Sequence, residues 1–170
     1  ARATLEELAR ALGDDHAPAV LVGFPEADPG APPPGLYNAL ALLEGGRVAA
    51  VGRKTLLPTY DVFDETRYFQ PGEVSTIFPL AGLHCGLTVC EDIWWSSQAY
   101  PTNPLKDLVL GAVVPDCLIN ISASPYHYGK IAERQEIFGR LCRDNNLPLL
   151  ALPTMSRCGR RCRAAAHQRG

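Results

Sequence analysis

Long apolar runs are missing from this sequence. No stretch approaches the ~20 residues that cross a bilayer, which excludes a transmembrane helix. Charge of one sign is missing too. Lys and Arg number 16 against 18 Asp and Glu, for a net charge of -2. So even a balance argues against a general nucleic-acid binder and against a membrane-surface protein. No Gly-rich phosphate loop is present, so nucleotide phosphates are not expected to be held by these residues. The opening residues, Ala1-Arg2-Ala3-Thr4-Leu5-Glu6-Glu7, have neither an initiator Met nor the apolar core of a signal peptide. A cut start is the expectation, and a signal peptide is not. No segment repeats.

What is there fits one globular domain. The chain has 170 residues, 46% apolar and 20% charged, close to the average for soluble proteins. Six cysteines, at 85, 90, 117, 142, 158 and 162, lie irregularly and mostly in apolar segments. Without a leader they read as reduced thiols of a cytoplasmic protein, not as a disulfide framework.

The pattern predicts alternating elements. Thr4 with Glu7 reads as a capping box, followed by Leu5, Leu8, Ala9 and Leu12 on one helical face and a stop at Gly13. Ala19 to Phe24 reads as a strand buried on both faces. Pro25 to Gly35 holds five prolines and is a loop. Leu36 to Leu43 and Arg47 to Val51 flank a Gly-Gly turn and make a hairpin. Residues 52 to 73 read as irregular. Val74 to Leu80 and His84 to Val89 form a second pair across Ala81-Gly82. Asp116 to Ile121 is another strand. Lys130 to Asp144 is a helix with Ile131, Phe138, Leu141 and Cys142 inward, and Leu147 to Leu152 starts one more strand. Strands dominate with helices between them, which predicts a layered α/β sandwich rather than a purely parallel sheet.

Cys90 closes a strand on which Cys85, Leu87 and Val89 share a face. A nucleophile at the carboxyl end of a strand faces the crevice where α/β sheets bind ligands. The alternative is a small, packed hydrophobe. A thiol ionises more readily beside an ammonium, and Lys54 at a strand end offers one. The alternative for Arg53-Lys54 is a solvated basic turn. Glu65 is placed to orient such a lysine, or is a surface carboxylate. Ser122 to Lys130 links a strand to a helix, where polar ligands are often held, or is ordinary turn chemistry.

Lys54-Thr-Leu-Leu-Pro-Thr-Tyr-Asp-Val-Phe-Asp-Glu65, Arg67-Tyr-Phe-Gln-Pro-Gly72, Cys90-Glu-Asp-Ile-Trp94 and Asn120-Ile-Ser-Ala-Ser-Pro-Tyr126 with Lys130 and Arg134 occur in that order. Together they resemble the nitrilase (carbon-nitrogen hydrolase) superfamily, and within it the glutaminase domains of glutamine-dependent NAD synthetases. The resemblance covers roughly residues 1 to 150. It implies an αββα sandwich, here incomplete at both ends. It implies Cys90 as nucleophile, Lys54 as the lysine of the catalytic set, and Glu65 at a further acidic position. Tyr60, Ser124 and Lys130 match glutamine-binding positions, and Glu91 would line the same pocket. The implied reaction is hydrolysis of glutamine to glutamate and ammonia through a cysteine thioester. The side chains suffice for it, with no cofactor. ATP and magnesium would belong to a synthetase domain that these residues do not include. Association into homo-oligomers is also implied.

Two departures matter. The family's general base is a glutamate on an early strand, upstream of the helix that starts this chain, so weak turnover is expected. Glu26 is a substitute in type, but the order of segments argues against it. Residues 151–170 form an atypical basic tail, with five arginines between Pro153 and Gly170 and no carboxylate there. A shifted reading frame would produce such a tail. Three other readings stay open: a stand-alone amidase or carbamoylase, a non-catalytic remnant, and a metal module built on Cys158, Cys162 and His167. The last has three ligands where a closed zinc site needs four.

Overall fold

Side chains alternate across a strand, so the faces of a strand reveal its neighbours. On β2 (Leu36–Glu44), Leu40 and Leu42 point one way and Ala41 and Leu43 the other, and all four are buried. A strand covered on both faces lies inside a layered structure. β2 is the centre of an antiparallel sheet between β1 (Val20–Ala27) and β3 (Arg47–Arg53). A second sheet has the order β4 (Thr76–Leu80), β5 (Leu83–Val89), β6 (Cys117–Ser122) and β7 (Leu149–Pro153). Its first pair is antiparallel and the other two are parallel. The computed structural model describes residues 1–13, 17–60, 63–94, 100–123 and 129–153.

The layers follow from three apolar clusters. Leu40 and Leu42 of the first sheet pack on Phe78, Cys85, Leu87, Val89 and Ile119 of the second. Leu5 and Ala9 of helix α1 (Arg2–Leu12) cover Ala41 and Leu43 on the first sheet's outer face. Leu105 and Leu108 of α2 (Pro104–Val109) and Leu141 of α3 (Lys130–Asn145) cover Leu118 on the outer face of the second. The order is helix, sheet, sheet, helix.

Turn chemistry agrees with the sequence where it is strongest. Ala81 and Gly82 both have positive φ, 50° and 79°. Two such residues suit the tight turn of a right-twisted hairpin.

Several expectations need correction. Thr4 is not the cap of α1. The helix starts at Arg2 with Ala1 at its N-cap, and Leu5 N–H donates to Ala1 O at 3.0 Å. β1 is an edge strand, partly exposed along most of its length, not a strand buried on both faces. It also runs on through Pro25, Glu26 and Ala27, because an edge strand tolerates proline. Ile131 is exposed on α3, at 58%, and not inward. Helix α2 was not anticipated; Asn103 caps it and Pro104 starts it. Among the described residues, no helix is long and apolar enough to cross a membrane.

Candidate active site

The ladder of the first sheet runs one residue past β3. Lys54 N–H donates to Asn38 O at 2.8 Å, and the Lys54 side chain is fully buried. A buried ammonium is costly without a counter-charge. Glu65 supplies it, with both carboxylate oxygens 2.7 Å from Lys54 Nζ. Glu65 opens a short 3-10 turn, Glu65–Arg67. Its N–H donates to Pro58 O, and its carbonyl accepts from Tyr68 and Phe69 N–H. The loop then closes on itself where Gly72 N–H donates to Lys54 O at 2.7 Å. A Cβ on residue 72 would stand 2.8 Å from Arg53 Cβ and O, so only glycine allows that approach.

Cys90 directly follows β5 and begins a 3-10 turn, Cys90–Ile93. Its φ is +47°, a left-handed conformation that costs a non-glycine residue about 1 kcal/mol or more. Its neighbours fix it there. Asn120 Nδ2 donates to Cys90 O at 3.4 Å and to Thr88 Oγ1 at 3.0 Å. Asp92 Oδ2 accepts from Val89 N–H at 2.9 Å. Asp92 Oδ1 accepts from Thr55 and Leu56 N–H, at 3.1 and 2.8 Å. One carboxylate therefore ties the lysine loop to the cysteine turn. Burial pushes the Asp92 carboxyl up to about 6, while these N–H groups and the Lys54 charge pull it down.

Lys54, Glu65 and Cys90 line one cavity of about 300 Å3, together with Phe63, Ile121 and Ala123. A thiol, an ammonium and a carboxylate thus meet at the carboxyl ends of β5 and β6. The other expected site residues distribute differently. Glu91 is buried and accepts from Tyr60 Oη at 2.8 Å and Tyr100 Oη at 3.1 Å. Burial and the Glu91 charge raise the Tyr100 phenol above its usual range. The Tyr60 ring packs edge-on to Phe63, 5.8 Å between centroids, so Glu91 and Tyr60 adjoin the cavity wall. Lys130 stands over the Trp94 ring at 4.6 Å and pairs with Glu133 at 3.5 Å. Among the described residues, the Cys90 cavity wall does not include it. Ser124 lies outside the described residues, though Ser122 and Ala123 line the cavity. Cys158, Cys162 and His167 also lie outside them. Among the described residues, no group of three or more His, Cys, Asp or Glu could hold a metal ion.

Glu26 is not part of this cavity. It pairs across the ladder with Tyr37, on the side opposite Gly23, which faces Ile121 of the second sheet. Its carboxylate bonds Arg53 Nε at 2.6 Å. Asp92, Asn120 and Tyr100 were not singled out from sequence. The first two sit inside the motif strings already quoted, but nothing in a string shows which backbone groups a side chain will meet.

Comparison with known proteins bears on this arrangement. The family model for carbon-nitrogen hydrolases matches residues 2–132. The chain is 43% identical over 117 residues to the glutamine-dependent NAD(+) synthetase of Thermotoga maritima, covering 69% of this chain and 18% of that protein. It is 39% identical over 120 residues to the protein of the same name from Synechocystis sp., covering 68% and 21%. The chain thus spans about a fifth of the length of these curated relatives. The structure of the Acinetobacter baumannii glutamine-dependent NAD+ synthetase superposes with a TM-score of 0.72 at 30% identity, over 88% of this chain and 26% of that one. An amidase from Nesterenkonia sp. shares the fold, with a TM-score of 0.62 at 20% identity, over 89% of this chain and 51% of that one.

Proposed function

The chain belongs to the carbon-nitrogen hydrolase family, and on that premise we propose that the Cys90 cavity attacks the side-chain amide of glutamine. The observation that carries the proposal is the meeting of buried Lys54 with half-buried Glu65 and Cys90 in one cavity. In the proposed reaction Cys90 Sγ bonds to the amide carbon, and the carbonyl oxygen becomes an oxyanion. The Lys54 ammonium and a backbone N–H stabilise it. The carbon-nitrogen bond breaks, ammonia departs with the thiol proton, and a thioester remains. Water then releases glutamate and restores the thiol. Apart from these groups, Asn38 and Ser122, the cavity wall is apolar, which suits a neutral amide better than a charged acyl group.

Glu65 is the carboxylate in the cavity wall among the described residues, and both its oxygens face the Lys54 ammonium. That position suits orienting the lysine better than shuttling the thiol proton. Glu91 with Tyr60 is proposed to meet the α-ammonium of glutamine, and Ser124 and Lys130 its carboxylate. Residues 1 to 150 are proposed as the glutaminase part, with the basic segment 151–170 outside it. The relatives' names, glutamine-dependent NAD(+) synthetase, support an assignment in which the ammonia feeds a synthetase domain, and ATP and magnesium are proposed for that domain alone. Self-association and a cytoplasmic setting belong to the same proposal.

Alkylation by an electrophilic glutamine analogue tests the nucleophile without requiring turnover. A chloroketone of glutamine should label Cys90 with saturating kinetics, and glutamine should protect. Labelling that does not saturate, or that ignores glutamine and spreads to Cys142, would sink the assignment. The apolar wall of Phe63, Ile121 and Ala123 also favours a second reading, a short aliphatic amide as substrate. Protection by propionamide but not by glutamine would select it.

A further inference from the structure

Cys85 and Cys117 are direct partners on the parallel strands β5 and β6. Five residues later the same strands deliver Cys90 and Ser122 to the cavity. The two Sγ atoms are 3.5 Å apart. Cys85 is 2% exposed, and Cys117 is partly open to solvent. Both lie at the inter-sheet cluster, and neither has a part in amide hydrolysis. Two thiols in van der Waals contact on strands that cannot drift apart form a dithiol built into the sheet.

We propose that Cys85 and Cys117 are a modification site, oxidised by hydrogen peroxide to a reversible cross-strand disulfide. Cys117 is the more exposed thiol and reacts first. Burial and the neighbouring Cys117 push the Cys85 thiol up to about 11, so it is the poorer initial nucleophile. Cys117 Sγ attacks one peroxide oxygen and the O–O bond breaks. Hydroxide leaves and takes the thiol proton as water, leaving a sulfenic acid. Cys85 Sγ then attacks the Cys117 sulfur. The S–S bond forms, the S–O bond breaks, and a second water carries off the Cys85 proton. Two thiols lose two electrons, and one peroxide becomes two waters.

The sheet also sets how easily the bond reverses. Neighbouring strands lie about 4.7–4.9 Å apart. That is inside the Cα range a disulfide accepts but below its usual 5.5–6 Å. The disulfide therefore forms without moving the strands, and the partly open side at Cys117 leaves it within reach of a dithiol reductant.

The whole chain should be treated with hydrogen peroxide, blocked with iodoacetamide and digested with trypsin. The expected product is a link between peptide 68–106 and peptide 107–130, with a mass loss of about 2 Da per chain and reversal by dithiothreitol. Peptide 68–106 carries both Cys85 and Cys90. The link must therefore survive in Cys90→Ala and vanish in Cys85→Ala, where a sulfenic acid on Cys117 should be trapped by dimedone. The proposal is overturned if folded wild-type chain gives no such link, if Cys117 advances to sulfinic acid while Cys85 stays a thiol, or if Cys90→Ala abolishes the link. Should Cys85→Ala fail to fold, the wild-type and Cys90→Ala digests decide alone.

Discussion

Asp92 holds a carboxylate with almost no water to face, yet three backbone N–H groups point at it. Its carboxyl titrates near 6 in the folded chain against 3.8 when solvated. Between these values the folded chain holds more protons than the unfolded one, so stability falls as pH rises through that window. The difference corresponds to about 3 kcal/mol. Urea midpoints of wild type and Asp92→Asn across pH 4 to 7 should show it, as a fall in wild type that the variant lacks. Parallel curves would refute it. The Lys54–Glu65 pair behaves differently. Glu65→Gln leaves a buried ammonium without its counter-charge and should cost about 3 kcal/mol or more. The double change Lys54→Met, Glu65→Leu should recover most of that loss, because an uncharged pair needs no counter-charge. Both are read from urea unfolding at pH 7.

At the scale of elements, the loop from Lys54 to Gly72 is a closed ring of backbone bonds resting on β3. Gly72→Ala drives a methyl into Arg53 and should cost about 1–3 kcal/mol. It should also slow labelling of Cys90 by the glutamine chloroketone, because Lys54 moves with the loop. Unchanged labelling would mean that the closure does not position the lysine. Local signals made much of this architecture readable. Ala81-Gly82 and Gly45-Gly46 announce their hairpins, and the alternation of Cys85, Leu87 and Val89 announces the buried face of β5. The lysine loop was readable as a string but not as a shape, since its bonds join residues 18 apart. β1 reads as doubly buried because its central neighbour, β2, comes later in the chain, and sequence alone does not say which strand is the edge. Helix α2 escaped because one and a half turns give no period to detect. Asp92 escaped for a related reason: its partners, Thr55 and Leu56, are more than 30 residues away.

The whole molecule is held by β2, which serves two cores at once. Leu40 is fully buried between the sheets, while Ala41 beside it is fully buried under α1. Leu40→Ala should cost about 2–5 kcal/mol, and heat or urea should still unfold the sandwich in one step. A separate early loss of α1 signal would show that the layers melt independently. The Asp92 carboxylate has a consequence for deuterium uptake. The amide hydrogens of Thr55, Leu56 and Val89 all end on it, and they come from two segments that this carboxylate joins. If the lysine loop and the cysteine turn part company, all three become available to solvent in the same event. They should therefore exchange at one shared rate, and acylating Cys90 should slow the three together. Three amide signals in a proton–nitrogen spectrum would then time how often the site comes apart.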